Sequence, residues 1–378
     1  MKQFIFDSIL DEQNICNMEK EKKELEDGVN NGLKLLVYGK RNTGKTSLVK
    51  NVVGINWLRK NTSGMLMYVD LMGVNTISQI SERMTIAFSD AYNQTFQMKA
   101  AFQNMLQIIK GIKPVIELDD KGVPKISFGI NADSKIRPFT KIIAQLQNIY
   151  DSNIPILLIL DEFQDIAGIE EAEALFRNSL QSLNFNIPIV ILGSKQHLLT
   201  KIFARPEAPF FNWGTHLNIE KIDYAIYQKY MNERFNSFGC TISLESATYL
   251  QNVMSRIPEA INRLCFTLVT MQNTNREISI ENIDVALLKL ISNRRSEPER
   301  YLSSFTIAEQ KVITVVAYNE PILQPQGKVF VQKIKLSSPG IRKIFIKLEN
   351  EAIIYKEENG YILADPLLKQ HLLKYRLD

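Results

Sequence analysis

The residues with the clearest chemical meaning form a glycine-bounded loop early in the chain, which we call the phosphate loop. It follows the apolar run 35–38 and consists of Gly39, Lys40, Arg41, Asn42, Thr43, Gly44, Lys45, Thr46 and Ser47. Glycine permits backbone angles that let successive N–H groups surround a phosphate. Lys45 supplies a cation to the β- and γ-phosphates, and Thr46 offers a hydroxyl to Mg²⁺ at the positive end of a helix. The loop therefore predicts binding of ATP with Mg²⁺.

A pair of acids forms the second informative pattern. The apolar run 154–160 ends in Asp161 and Glu162, which is typical of a buried parallel strand that carries carboxylates at its C-terminal end. We expect Asp161 to hold Mg²⁺ through water beside Thr46. We expect Glu162 to orient and deprotonate the water that attacks the γ-phosphate, so hydrolysis is the predicted reaction. The alternative is that Glu162 is a solvated acid at a strand end.

A serine follows another buried strand, at 187–192. Ser194 leaves this strand at the edge where Asp161 and Glu162 are expected, so its hydroxyl can contact the γ-phosphate or the attacking water. Serine is also a preferred N-cap residue, and a helix is predicted from Gln196 to Phe203. The sequence leaves both roles of Ser194 open.

The elements around these residues alternate between strands and helices. Continuous apolar strands separated by helices predict a parallel, doubly wound α/β sheet with the nucleotide at its C-terminal edge. Two apolar segments around the turn formers 119–122 predict a hairpin insertion at about 112–133. The predicted helices of this region are 18–31, 78–109, 138–150, 171–183 and 196–203.

From 217 to about 295 the chain reads as helices only, which predicts a helical lid. Ser243 and Ser279 are expected helix starts, and Pro258 opens a helix that carries Arg263. Arg263 either reaches the phosphates or pairs with a nearby acid of the lid, and the pairing is the favoured interpretation. The polar, helix-breaking stretch 292–299 predicts a linker.

The last eighty or so residues read as a third domain. Thr306 and Glu309 form a predicted capping box, and Ser338 with Pro339 predicts an N-cap followed by the first helical position. Three helices followed by a hairpin are the pattern of a winged helix-turn-helix. The predicted domains are thus a P-loop core at 1–216, the lid at 217–296 and the winged helix-turn-helix at 297–378.

The winged-helix region has a basic stretch without an acid before Glu349. Its cations are Lys328, Lys333, Lys335, Arg342, Lys343 and Lys347. Arg342 and Lys343 fall in the first turn of the expected recognition helix, which enters the major groove of double-stranded DNA in helix-turn-helix proteins. We therefore predict DNA contacts from Arg342, Lys343 and Lys347. The alternative is a solvated face on a module that binds a partner protein.

Composition adds few constraints. The chain of 378 residues is 45% apolar with a net charge of +4, which is too small to imply nucleic acid binding by itself. The three cysteines have no metal-binding spacing, which is typical of a reducing compartment. The longest apolar runs are too short to span a bilayer, and an acid at position 7 interrupts any signal-peptide core. A cytoplasmic protein without a membrane partner is expected.

Four motifs carry a resemblance to a known family. They are the phosphate loop, Tyr68-Val69-Asp70-Leu71, Leu160-Asp161-Glu162-Phe163-Gln164, and Gly193-Ser194-Lys195-Gln196-His197 followed by Arg205-Pro206. With them the chain resembles the archaeal-type ATPases of archaea and bacteria, which are P-loop ATPases related to AAA+ and STAND proteins. The resemblance implies an ATPase core, a helical lid and a C-terminal winged helix. Family members often carry an arginine where this chain has Phe211-Asn212-Trp213-Gly214, which leaves Arg205 as a substitute candidate for an arginine finger.

The leading functional hypothesis is an Mg²⁺-dependent ATP hydrolase whose nucleotide state, ATP or ADP, repositions the lid and the winged-helix module, so that the protein acts as a slow switch. The alternative is an ATP-gated DNA-binding regulator or protein-interaction scaffold that does not hydrolyse ATP. Glu162 favours the first hypothesis. A small-molecule kinase is a weaker hypothesis, because the lid has few arginines to hold the phosphates.

Overall fold

The computed structural model describes residues 2–96, 114–118, 124–128, 137–271 and 276–376 of the chain. These residues divide into two compact units. We call 9–40 together with 44–220 the sheet unit, and the described part of 1–8, 41–43 and 221–378 the helical unit. Within the described ranges, no helix is long and apolar enough to cross a membrane.

The strands and helices of the described residues have the following bounds. The strands are β1 Lys34–Tyr38, β2 Met65–Asp70, β3 Pro114–Leu118, β4 Pro124–Phe128, β5 Ile156–Asp161, β6 Ile189–Gly193, β7 Thr215–Asn218, β8 Cys240–Ile242, β9 Arg276–Ile278, β10 Ile354–Glu357 and β11 Gly360–Leu363. The helices of the sheet unit are Glu19–Asn30, the π-helix Ser47–Gly54 with Ile55–Lys60, Ile77–Phe96, Arg137–Asp151, Ala172–Gln181 and Gln196–Phe203. Those of the helical unit are Tyr224–Phe235, Leu244–Val253, Pro258–Met271, Ile280–Asn293, Ser296–Ser303, Ile307–Asn319, Lys328–Ile334, Ser338–Asn350 and Pro366–Tyr375.

A five-stranded parallel sheet in the order β2-β5-β6-β1-β7 forms the centre of the sheet unit, which confirms the predicted fold class. Successive strand residues point to opposite faces, so each face has its own apolar core. Leu36 and Leu158 belong to the core that includes residues of Ile77–Phe96 and Arg137–Asp151. Side chains on the opposite face of the sheet, such as Leu35 and Leu157, belong to a second core. This core includes residues of the helices Glu19–Asn30 and Ser47–Gly54. Strands buried on both faces explain the continuous apolar runs in the sequence.

The remaining strands of the sheet unit include one that was not predicted and two that were. Strand β7 pairs in parallel with β1 and was not predicted, because only Leu217 of its four residues is buried and an edge strand of this kind has no apolar run. Strands β3 and β4 form an antiparallel pair in the region where the hairpin was expected. The expected turn at 119–122 and the end of the predicted helix 78–109 lie outside the described residues.

The first part of the helical unit is mainly helical, but the prediction of helices alone was wrong in one detail. Strands β8 and β9 form a short parallel pair with Cys240 opposite Arg276. Each has three residues, which is too few for a periodic pattern in the sequence. The predicted helix starts at Ser243 and Ser279 are confirmed, since their side chains accept hydrogen bonds from the backbone N–H groups of Ser246 and Asn282.

The predicted linker at 292–299 was also wrong, because the helix Ile280–Asn293 extends into its start and the helix Ser296–Ser303 covers its second half. Pro298 falls in the first turn of that helix, where its missing N–H costs no hydrogen bond. The capping box of Thr306 and Glu309 is confirmed. The cap predicted at Ser338 lies one residue earlier, since the Ser337 side chain accepts from the N–H of Gly340.

Residues 296–376, which we call the C-terminal segment, have the element order predicted for a winged helix-turn-helix. The helices Ile307–Asn319, Lys328–Ile334 and Ser338–Asn350 precede the antiparallel hairpin of β10 and β11. Their apolar side chains share one core, which includes Val312, Ile313, Phe330, Ile341, Phe345, Leu348, Ile354 and Leu372. The C-terminal segment thus has a core of its own.

Candidate nucleotide site

Four neighbouring strands end at one level of the sheet. Tyr38 lies opposite Gly193 across β1 and β6, and Asp70 lies opposite Asp161 across β2 and β5. Because the strands are parallel, the residues that follow each strand meet at the same edge, which we call the carboxyl edge. The phosphate loop, Glu162 and Ser194 all begin there, as the sequence predicted.

The backbone of the phosphate loop depends on its glycines. Gly44 has a φ of +93°, a left-handed conformation that a side chain would strain. A Cβ at Gly39 would lie 3.0 Å from the carbonyl oxygen of Ile219, so the close approach to the segment after β7 favours glycine there. Arg41, Asn42 and Thr43 complete the loop between these glycines, and Asn42 has a φ of +60°. Lys45 is buried, with 6% of the residue exposed, and its ammonium donates to the carbonyl oxygen of Lys40, so it lies across the loop.

Thr46 and Asp161 lie in direct contact. The Thr46 hydroxyl donates to Asp161 Oδ2 over 2.7 Å, and the Tyr68 hydroxyl donates to the same oxygen over 2.9 Å. The backbone N–H of Glu162 donates to the other oxygen, Oδ1, over 2.8 Å. The hydroxyl and the carboxylate expected to hold Mg²⁺ are thus brought together by residues far apart in the sequence.

Burial raises the pKa of the Asp161 carboxyl above its ordinary value. Hydrogen bonds from Thr46 and Tyr68 act in the opposite direction and do not offset the loss of solvation. Glu162 nearby raises this pKa further. Folding therefore places a carboxylate where its charge is unfavourable, which is typical of a group retained for chemistry or metal binding.

Glu162 has an unusual backbone conformation. Its φ of +49° is left-handed, which costs about 1 kcal/mol or more for a residue with a side chain. The next residue, Phe163, is fully buried and its ring packs against Phe176 and Phe210 with centroids 5.1 Å and 5.4 Å away. These aromatic contacts hold the turn after β5 and thereby fix where the Glu162 side chain starts.

The Glu162 carboxylate has two hydrogen-bond donors. The Ser194 hydroxyl donates to Oε2 over 2.8 Å, and the Gln164 amide donates to the same oxygen over 2.5 Å. The Ser194 side chain therefore binds Glu162, and the N-cap position of the next helix is Lys195, without a side-chain cap. Of the two roles that the sequence left open, the capping role is wrong.

Sequence reasoning missed Tyr68 and Gln164 as parts of this site. Both stand inside the quoted family motifs, but no spacing rule assigns a phenol or an amide to these positions. Tyr68 lies on β2 beside β5, and the ammonium of Lys50 lies 3.8 Å from its ring centroid. The signal that could have found them is their position close to Asp161 and Glu162, with Tyr68 on the strand that pairs with β5 and Gln164 two residues after Glu162.

Two predicted nucleotide-binding residues have other partners. The Ser47 hydroxyl accepts from the backbone N–H of Leu10 over 3.0 Å. The Arg263 guanidinium forms ion pairs with Asp7 and with Glu259, the latter at 2.5 Å, which agrees with the favoured pairing interpretation. The finger candidate Arg205 is half-exposed and lies 3.9 Å from Glu207.

The predicted DNA-contacting residues differ from one another. Arg342 and Lys343 are exposed in the first turns of the helix Ser338–Asn350. Lys347 pairs with Glu309 over 2.8 Å, which ties it to the preceding capping box. Lys347 is exposed as well, but its ammonium is already engaged by an acid, so Arg342 and Lys343 fit phosphate contacts better.

The donor atoms at the carboxyl edge fit Mg²⁺. Thr46 and Asp161 offer only oxygen, and Mg²⁺ prefers a few protein oxygens together with phosphate oxygens and water. In the described part of the chain, no group of three His, Cys, Asp or Glu side chains could form an all-protein metal cage. These protein oxygens thus suit a metal ion whose remaining ligands are phosphate oxygens and water.

Several proteins of known structure are similar to this chain. No protein-family model matches the chain. The Walker-type ATPase PABY2304 of Pyrococcus abyssi is similar in structure, with a TM-score of 0.65 and 16% identity over 98% of this chain and 99% of that chain. The Aeropyrum pernix ORC1 protein, solved in complex with DNA, has a TM-score of 0.54 and 11% identity over 99% and 98%. The A. pernix ORC2 protein, solved with ADPNP and ADP, has a TM-score of 0.52 and 12% identity over 97% and 98%.

The chain shares their fold. Both comparisons with the A. pernix proteins cover nearly all of each chain, so the shared fold includes the helices beyond the sheet as well as the sheet itself. This agrees with the predicted architecture of a P-loop core followed by a helical region and a winged helix-turn-helix. Identities of this size concern the fold and leave the reaction to be argued from the site.

Proposed function

We propose that this protein is an Mg²⁺-dependent ATP hydrolase that works as a nucleotide-driven switch. The phosphate loop binds the triphosphate, and Lys45 compensates its negative charge. Thr46 and Asp161 hold Mg²⁺, which supplies further positive charge to the phosphate oxygens when bound. Glu162 acts as the general base for the attacking water, and Ser194 contacts Glu162 so that the two respond together to the γ-phosphate.

One observation carries this proposal. Glu162 stands next to Asp161 in the chain, and its carboxylate is held by a hydroxyl from the neighbouring strand β6 at the edge where the phosphate loop begins. A solvated acid at a strand end needs neither a left-handed backbone nor two donors on one oxygen. The site therefore has the parts for water activation as well as for binding.

Steady-state phosphate release tests the proposal. We expect wild-type protein to release phosphate from ATP with Mg²⁺ and to lose this activity in excess EDTA. Lys45→Ala should abolish binding of a fluorescent ATP analogue, because it removes the cation that faces the phosphates. Glu162→Gln should bind the analogue normally and lose about 10² to 10⁴ in rate, the usual contribution of a general base.

The matched control is Glu171→Gln, since Glu171 is an exposed acid with a left-handed backbone in the same unit and lies outside the site. It should keep wild-type turnover. Wild-type turnover by Glu162→Gln would remove Glu162 from its proposed role. Tight ATP binding without any phosphate release by wild-type protein would support the second candidate instead.

That second candidate is an ATP-gated regulator that binds double-stranded DNA or a protein partner without turnover. Its support is the exposed pair Arg342 and Lys343 on the helix Ser338–Asn350, together with the shared fold of an ORC1 protein solved with DNA. DNA binding is compatible with hydrolysis too. Phosphate release measured with and without duplex DNA separates the two candidates.

A further inference from the structure

Gln164 is a fully buried amide whose polar atoms both have partners. Its Nε2 donates to Glu162 Oε2 over 2.5 Å and to Asp165 Oδ1 over 3.2 Å. Its Oε1 accepts from the backbone N–H of Ser194 over 3.1 Å. Because Nε2 faces two carboxylates and Oε1 faces an N–H group, only one orientation of the amide satisfies all three contacts.

The absence of a side chain at Gly193 leaves space for this amide. A Cβ at Gly193, the last residue of β6, would lie 2.7 Å from Gln164 Oε1. Burying an amide is unfavourable unless its hydrogen bonds are formed. An apolar side chain would fill the same space without this desolvation cost. The amide is therefore retained for its contacts, and these join the turn after β5 to the end of β6.

A second pair of charges holds Gln164 from the other side. Asp165 Oδ1, which accepts from Gln164, also accepts from the Lys195 ammonium over 3.0 Å. Asp165 Oδ2 accepts from the backbone N–H of Gly73 over 2.9 Å, in the loop after β2. Both charged side chains are largely buried, with exposed fractions of 10% for Asp165 and 16% for Lys195. Gln164 thus stands between a fixed carboxylate and Glu162.

The consequence concerns the two oxygens of Glu162. Both donors, the Ser194 hydroxyl and the Gln164 amide, lie on Oε2. Among the described residues, no donor contacts Oε1. A carboxylate fixed through one oxygen by two donors cannot rotate freely, so its other oxygen has a defined direction and is available to accept a proton.

We propose that Gln164 is a positioning residue for hydrolysis, which pins Oε2 of Glu162 so that Oε1 receives the proton of the attacking water. This inference rests on the proposed function, since it assigns Gln164 a role that acts through Glu162. Gln164 does not touch the reacting atoms itself. Its loss should therefore lower kcat and leave nucleotide binding unchanged.

The variant Gln164→Met tests this, because methionine has a similar length and forms neither hydrogen bond. We expect kcat to fall about 10- to 100-fold, which is the scale of effects from a misplaced catalytic group. KM for ATP and the affinity for a fluorescent ATP analogue should stay within about twofold of wild type, since the phosphate loop is intact. A parallel loss of affinity and kcat would contradict a positioning role.

A double-mutant cycle with Glu162→Gln separates positioning from a general structural effect. If Gln164 acts through the Glu162 carboxylate, Gln164→Met should cause no further loss of rate in the Glu162→Gln background. Losses that multiply in the double variant would overturn the proposal. Wild-type protein that fails to hydrolyse ATP would instead remove the proposed function, which keeps the two failures distinct.

Gln251→Met is the matched control. Gln251 is also a buried glutamine, 1% exposed, and it donates to the carbonyl oxygen of Tyr224 in the helical unit. It should lower the melting temperature without changing kcat. Gln164→Leu covers the case in which Gln164→Met does not fold, because it is a second apolar replacement that removes the donor to Glu162. A wild-type kcat for a folded Gln164→Leu protein would also overturn the proposal.

Discussion

The carboxyl edge of the sheet and the basic face of the C-terminal segment differ in how far their charged side chains are buried. At the carboxyl edge, Asp161 is buried at 4% exposure and Glu162 has a strained backbone. On the helix Ser338–Asn350, Arg342 and Lys343 are exposed, whereas Ile341, Phe345 and Leu348 face the core. The first region places charge where folding disfavours it, whereas the second places charge where solvent stabilises it.

This difference shows how strongly each region implies a function. A buried carboxylate lowers the stability of the free protein, and a bound cation would offset this cost. The chemistry of the carboxyl edge can therefore be argued from its geometry. Exposed cations need no ligand, because solvation already accounts for them.

Asp161→Asn should abolish Mg²⁺-dependent hydrolysis and stabilise the metal-free protein. Since the folded-state pKa of Asp161 lies above its unfolded value, the folded state disfavours the carboxylate at neutral pH. Thermal melting in EDTA should therefore give a higher melting temperature for the variant.

The control for this prediction is Asp70→Asn, because Asp70 lies opposite Asp161 on β2 and accepts from the N–H of Met72. It should not raise the melting temperature. A lower melting temperature for Asp161→Asn would mean that the hydrogen bonds from Thr46 and Tyr68 outweigh the cost of burial. The contrast between the two regions would then lose its main support.

Loss of Arg342 and Lys343 should affect DNA binding more than loss of Lys347. If the protein binds duplex DNA, the logarithm of affinity falls with the logarithm of salt concentration by about 0.9 per phosphate contact. Arg342→Ala with Lys343→Ala should flatten this slope by about two contacts. Lys347→Ala should change it less, because Glu309 already neutralises that ammonium over 2.8 Å.

Fluorescence anisotropy on duplex DNA across a salt series measures these slopes, with ATP, ADP or no nucleotide. Equal effects of Lys347→Ala and of the single Arg342→Ala variant would contradict the structural distinction between them. Absence of binding at low salt in all three nucleotide states would leave the C-terminal segment as a protein-interaction module.

The carboxyl edge could be predicted from the sequence because its parts have fixed spacing. A phosphate loop must follow a strand, and Asp161 with Glu162 must end another strand of the same parallel sheet, so both lie at its carboxyl edge without further information. The same spacing gave no role to Gln164. Its contacts depend on the left-handed turn at Glu162 and on the absence of a Cβ at Gly193, which only coordinates reveal.

The errors in the helical unit have a common physical cause. Strands β8 and β9 have three residues each, and the helix Ser296–Ser303 begins with residues that also favour turns. Local patterns of this length do not distinguish a helix or strand from a loop, so tertiary packing decides. The caps at Ser243, Ser279 and Thr306 were predictable because a cap is a local hydrogen bond with a fixed spacing.

Thr306→Ala should destabilise the protein without changing its nucleotide site. The Thr306 hydroxyl accepts from the N–H of Glu309, and the Glu309 carboxylate accepts from the N–H of Thr306. Loss of such a cap costs about 1 kcal/mol. Urea unfolding should show this loss, while the affinity for a fluorescent ATP analogue stays the same.

Ser304→Ala is a suitable control, because the exposed Ser304 hydroxyl donates only to the nearby carbonyl of Tyr301. It should leave the free energy of unfolding within about 0.5 kcal/mol of wild type. A change in ATP affinity for Thr306→Ala would show that the stability of the C-terminal segment and the nucleotide site are coupled.

Arg263→Ala should have the smallest effect on nucleotide preference. Its guanidinium pairs with Asp7 and Glu259 and lies 4.6 Å from the ring centroid of Phe6, all within the helical unit. These partners account for its charge, so we expect the ratio of ATP to ADP affinity to remain within about twofold of wild type. Titration of both nucleotides into wild-type and variant protein measures this ratio.

Glu259→Gln provides the comparison, because it removes one partner and keeps the guanidinium. If Arg263 only fastens the helix Pro258–Met271 to the N-terminal residues, both variants should lower the melting temperature and leave the ratio unchanged. If Arg263→Ala weakens ATP more than ADP while Glu259→Gln does not, the guanidinium senses the γ-phosphate. In that case a charge of the helical unit would act on the nucleotide. The presence of ion-pair partners would then no longer distinguish a structural charge from a functional one.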